Sequence, residues 1–99
     1  MADIPEQVEK IMSATLGDFQ RSIKTLAPDH TLRSDGHSAL LQEDGYSVEI
    51  HYEPTGTKTF GTLLVIPQAK ITLNFDQASP KARKDFIRRF DFAFQRGGG

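Results

Sequence analysis

The chain reads as an α+β two-layer sandwich: an N-terminal helix, a four- or five-stranded antiparallel meander and a C-terminal helix. Three observations predict it. Apolar residues recur at steps of three and four near both ends, they alternate with polar ones in the middle, and turn dipeptides punctuate that middle. An antiparallel sheet with one apolar face needs a single covering layer, so both helices are expected on the same side.

The first helix is expected over residues 4–27. Asp3 is a good N-cap, Glu6 follows three residues later as in a capping box, and Pro5 falls in the first turn, where its missing N–H costs nothing. Ile4, Val8, Ile11, Met12, Leu16, Phe19, Ile23 and Leu26 then form one stripe, with Glu6, Glu9, Lys10, Ser13, Asp18, Arg21 and Lys24 elsewhere on the wheel. Gly17 is an interior weak point costing about 1 kcal/mol against Ala. Pro28 with Asp29 marks the stop.

Asp35-Gly36 and Asp44-Gly45 suit hairpin turns, because both residue types tolerate positive φ. Between them and beyond, Tyr46, Val48, Ile50 and Tyr52 alternate with Ser47, Glu49, His51 and Glu53, the pattern of a strand buried on one face. Pro54-Thr55-Gly56 reads as a turn, Thr59 to Ile66 as a further strand, Pro67-Gln68-Ala69 as another turn, and Lys70 to Phe75 as the last strand.

Ser79-Pro80 gives an N-cap followed by proline at the first helical position, so the second helix is expected over residues 79–95. Ala82, Phe86, Ile87, Phe90, Ala93 and Phe94 share one face at 100° per residue. Phe90 to Phe94 also fits a period of two, but no Gly or Pro separates it from the helical start. Domain organisation follows: a single domain over residues 1–96 and a flexible glycine tail at 97–99. The tail Arg96-Gly97-Gly98-Gly99 is similar to the Arg-Gly-Gly end that ubiquitin-like proteins use as an activated carboxyl terminus. Those folds end in a strand, whereas this chain is expected to begin and end helical, so the tail reads as a plain flexible end.

With 37% hydrophobic and 25% charged residues, the 99-residue chain has the composition of one globular domain. It contains no cysteine, which excludes disulfides, thiolate nucleophiles and cysteine-ligated metal centres. Its start lacks a secretory pattern and its longest purely apolar run is Leu63 to Ile66, so no membrane partner is expected and the cytoplasm is the expected setting. The net charge of −1 hides an asymmetry. Residues 1–78 carry a balance of −5, and residues 79–99 one of +4.

Function is read from that basic end. Lys81, Arg88, Arg89 and Arg96 project with Phe92 on the face of the second helix opposite its apolar stripe. A large ring among cations is the composition of an interaction hot spot. The leading reading is therefore a small non-catalytic protein-interaction domain that uses this face toward an acidic protein partner or for self-association. The alternative of nucleic-acid binding has Lys81, Lys84, Arg88, Arg89 and Arg96 tracking phosphates while Phe92 stacks on a base. Against it stand Asp85, Asp91 and a whole-chain pI near 6.3. A small enzyme or metal site is the third reading, because Glu49, His51 and Glu53 at i, i+2 and i+4 project together from one strand face. No recognised metal-ligand, nucleophile-elbow or phosphate-loop spacing accompanies them, so no catalytic residue, metal or cofactor is assigned.

Overall fold

The computed structural model describes residues 6–29, 31–32, 36–62 and 64–97. The elements are β1 (Gln7–Met12), α1 (Leu16–Leu26), β2 (Thr31–Leu32), β3 (Ser38–Gln42), β4 (Ser47–Phe60), β5 (Leu64–Asp76) and α2 (Pro80–Gly97). Every strand pairing is antiparallel, and the five-stranded sheet has the order β1-β5-β4-β3-β2. The expected α+β architecture is the one observed, with β2 to β5 as the meander and one further strand ahead of the first helix.

That further strand corrects the expected helix over 4–27. Residues 7–12 are β1, in register from Gln7↔Asn74 to Met12↔Ala69. Val8, Lys10 and Met12 are half-buried on the helix side, while Gln7, Glu9 and Ile11 are exposed on the other. Lys10 is matched on the covered side by Asp91 of α2, 2.9 Å away. Ile11, on the open side, is 64% exposed. An inward charge and an outward isoleucine cancel the period-two signal, and Val8, Ile11 and Met12 then imitate helical spacing. The proposed cap at Asp3, with Ile4 and Pro5, lies outside the described residues.

α1 starts instead at a capping box about three turns into the expected stripe, at Thr15. The Asp18 amide donates to Thr15 Oγ1 at 3.1 Å, and the Thr15 amide donates to Asp18 Oδ2 at 3.0 Å. Gly17 is thus in the first turn rather than the interior, where it is cheap. The helix ends before Pro28 as expected, and it buries Phe19, Ser22 and Ile23. Among the described residues Ser22 Oγ has no hydrogen-bond partner.

The turn at Asp44-Gly45 is found where expected, with Gly45 at φ 86° and the Glu43 amide donating to the Tyr46 carbonyl at 2.8 Å. The two expected turns at 54–56 and 67–69 are not turns. β4 and β5 run through them as one long hairpin that reverses at Gly61 (φ 66°), with a bulge between Pro54 and Gly56. Two amide directions explain why proline is tolerated. The Tyr52 amide donates to the His37 carbonyl on the β3 side, and the Phe75 amide donates to the Glu6 carbonyl on the β1 side. Counting in twos, the nitrogens of Pro54 and Pro67 point the same ways. Both lie beyond the last paired residues of β3 and β1, so neither removes a ladder bond.

The hairpin therefore has two halves. Its lower half is the centre of the sheet, where Val48, Ile50, Tyr52, Ile71, Leu73 and Phe75 face the helices and are buried. Its upper half, 54–60 with 64–68, is a two-stranded arm beyond both neighbours. The helices close the core with Phe19 6.2 Å from Phe94, Phe75 edge-on to Phe86 at 5.6 Å, and Phe90 stacked on Phe94 at 4.2 Å. Phe90 to Phe94 is helical, as the continuous pattern predicted.

Candidate interaction face of the C-terminal helix

α2 begins with the Ala82 amide donating to Ser79 Oγ at 3.1 Å, and Pro80 is its first residue. This capped start fixes the helical phase. From it, Phe86, Phe90, Ala93 and Phe94 all fall to 6% exposure or less against the sheet and α1. The opposite side is the face that the sequence singled out.

Phe92 is 61% exposed on that face. Arg88 is exposed one turn before it and makes no hydrogen bond or ion pair among the described residues, and the same holds for Lys84. Lys81 is paired within the helix to Asp85 at 3.1 Å, with side chains 86% and 53% exposed. Such a pair contributes little and leaves the ammonium available. Arg96 lies in the last turn of α2, and its side chain is outside the described ones.

Arg89 is placed differently. Its Nη1 donates to Glu43 Oε1 of the β3–β4 turn at 2.8 Å, and its guanidinium carbon sits 5.3 Å from the centre of the Phe86 ring. It clamps the helix to the hairpin at the flank of the face rather than standing beside Phe92. The surroundings of Tyr46 register that clamp. Burial, and then the Glu43 carboxylate, push its phenol above the ordinary 10.0, while the Arg89 charge pulls the other way. On the opposite flank, Asp91 is neutralised by Lys10. Of the two acids that interrupt the basic face, both are thus matched internally.

The second constellation, Glu49, His51 and Glu53, lies on the open side of β4 as its alternation implied. His51 Nδ1 is 2.6 Å from Ser38 Oγ, and Glu53 is 3.4 Å from Lys70 Nζ, which also lies 4.0 Å from Glu9. Among the described residues, no three His, Asp or Glu side chains are grouped as a metal ion requires. The arm is not announced by the sequence, because Pro54 and Pro67 carry the local signature of turns. Nor are the Lys10–Asp91 and Arg89–Glu43 pairs, which join residues 81 and 46 positions apart.

No helix of the described residues is long and apolar enough to cross a membrane. No family model matches the chain, and no curated protein or solved structure resembles it closely enough to count as a match.

Proposed function

We propose that this chain is a non-catalytic protein-interaction domain whose α2 outer face takes an acidic protein partner. The observation that carries the reading is the contrast among the phenylalanines of one helix. Phe86, Phe90 and Phe94 are buried at 6% exposure or less, whereas Phe92 is 61% exposed. Its ring is the anchor, and Arg88 with Lys84 supplies the charges that have no partner among the described residues. Lys81 extends the basic rim along the helix, Arg96 is assigned to it from the sequence alone, and Arg89 borders it while holding Glu43. Anchors of this kind concentrate binding energy, and rim charges chiefly set the encounter rate and its salt dependence.

A photo-crosslinking residue at position 88, in native extract, tests the reading. The expected result is capture of an acidic protein that survives nuclease treatment and is lost in Phe92→Ala. That variant should keep its melting midpoint, since exposed substitutions shift stability within about 0.5 kcal/mol. Nuclease-sensitive capture would move the assignment to nucleic acid, and unchanged capture in Phe92→Ala would remove the anchor role.

A further inference from the structure

The arm raises a question that the α2 face does not answer. β5 buries Ala69, Ile71, Leu73 and Phe75 on the helix side, so Lys70, Gln68, Ile66 and Leu64 alternate onto the open side of the sheet. Lys58 is the register partner of Ile66 and shares that side. Leu64 is 53% exposed. No acidic residue occurs anywhere from Pro54 to Phe75, so the arm is apolar and cationic.

The sheet beside the base of the arm has the complementary character. In the row Ile11–Lys70–Glu53, and in the next row with Glu9, the open side offers one strongly exposed isoleucine and two carboxylates about a single lysine. Among the described residues no helix covers this side. Backbone pairing is an unsuitable way to use the arm, because Pro54 and Pro67 remove donors from its two outer edges. Contact through the open face is left.

We propose that this arm docks on the open sheet face of a second copy of this chain, Leu64 and Ile66 against Ile11 and Lys58 toward Glu9 and Glu53. Arm and platform lie on the same side of one chain, so a single two-fold axis makes both contacts at once, each arm running antiparallel over the other's platform. Charge and apolar character match in both. The arm extends about seven residues past the sheet, or roughly 20 Å at ~3.3 Å per residue. At a ribbon width near 10 Å, two arms on two platforms bury on the order of 800 Å² in total, the size of weak, reversible pairs rather than obligate ones. The dimer is accordingly expected to be weak and reversible.

Sedimentation equilibrium across about 1 μM to 1 mM tests it. Wild type should show a monomer–dimer equilibrium within that range. Leu64→Asp and Ile11→Asp, both at exposed positions, should each raise the dimer Kd at least tenfold with unchanged circular dichroism. An equal mixture of the two should recover a heterodimer, because the intact arm of the Ile11→Asp copy meets the intact platform of the Leu64→Asp copy. Phe92→Ala should dimerise as wild type does, which separates this proposal from the α2 face. A wild-type monomer at all concentrations, or a dimer indifferent to both aspartates, overturns it. A dimer weakened by Leu64→Asp but indifferent to Ile11→Asp would mean arm against arm, a mixture that recovers no heterodimer would mean that arm and platform do not meet, and a monomer that binds phosphatidylserine vesicles through Leu64 would mean a lipid surface; each of these results also overturns it.

Discussion

The two halves of the β4–β5 hairpin share one ladder and differ in almost everything else. From Ser47 to Glu53 and from Ala69 to Asp76 the strands have a neighbour on either side and two helices above. From Pro54 to Phe60 and from Leu64 to Gln68 they pair with no third strand among the described residues, and Gln68 reaches Ser13 Oγ, just past β1, at 2.9 Å. In the first half alternate residues are fully buried, and in the second Leu64 and Val65 are both more than half exposed although they point to opposite sides. A covering layer, not strand propensity, imposes period-two burial. An isolated two-stranded ribbon is marginal in water, so the arm takes its order from the sheet it continues.

If that contrast is right, the largest effects must come from the covered half. Phe19→Ala should cost about 3–5 kcal/mol, because the ring is fully buried 5.4 Å from Tyr52 and 6.2 Å from Phe94, and truncation leaves a cavity between layers. Urea melts measure it. A cost under about 1 kcal/mol would mean that the helix layer is not what holds the sheet.

A smaller effect of opposite sign is expected one turn on. Ser22 is fully buried with its Oγ unpartnered, so Ser22→Ala removes a desolvated hydroxyl and gains helix propensity. The expected gain is about 1 kcal/mol by the same melts. A loss instead would show that the hydroxyl has found a partner in solution.

Tyr52 marks the upper limit of the covered half, and it makes the comparison pH-dependent. Its hydroxyl donates to the Ala14 carbonyl at 3.0 Å, and burial, followed by the Asp18 carboxylate, raises its phenol above the ordinary 10.0. A raised folded-state value means that the stabilisation is complete below the unfolded value and is lost as pH climbs through the folded one. Wild type should therefore lose stability above about pH 10. Tyr52→Phe should cost about 0.5–1.5 kcal/mol at neutral pH and show a flatter alkaline limb. An alkaline limb identical in the two proteins would assign it elsewhere, with Tyr46 next to be replaced.

How far the sequence foretold these halves follows from the same physics. α2 and the strand at 46–53 were legible because one element carries both a start signal and a face: Ser79-Pro80 with phenylalanines at helical steps, Tyr46 to Tyr52 with alternation. β1 was illegible because Lys10 finds its counter-charge on α2, 81 positions away, and that partner licenses a lysine on the covered side. The box of Thr15 and Asp18 was present in the sequence, but the false stripe through Val8, Ile11 and Met12 ran across it. Pro54 and Pro67 have the local chemistry of turns, and only the sheet order reveals that their nitrogens face unoccupied edges. At the candidate site, the outward projection of Phe92 followed from helical phase alone. The removal of Arg89 to Glu43 did not, since nothing local announces a partner in a distant hairpin turn.

The sharpest use of the comparison is a substitution expected to do almost nothing. Val65 is 56% exposed on the helix-side surface of the arm, above the level at which helices cover the sheet. Val65→Thr keeps the β-branch and hence strand propensity, and it exchanges a methyl for a hydroxyl that water can reach. Stability should stay within about 0.5 kcal/mol of wild type, as for other exposed changes. Amide exchange supplies a second reading. Amides near Val65 should open at a small fraction of the global unfolding free energy, while those near Leu73 should open only with the whole domain. Dimerisation should not change, since Leu64 rather than Val65 lies on the open side. A loss above about 1 kcal/mol, or arm protection equal to that of the sheet, would mean that something packs on the helix-side surface of the arm. The two halves of the hairpin would then be one covered unit, and the contrast between them would fail.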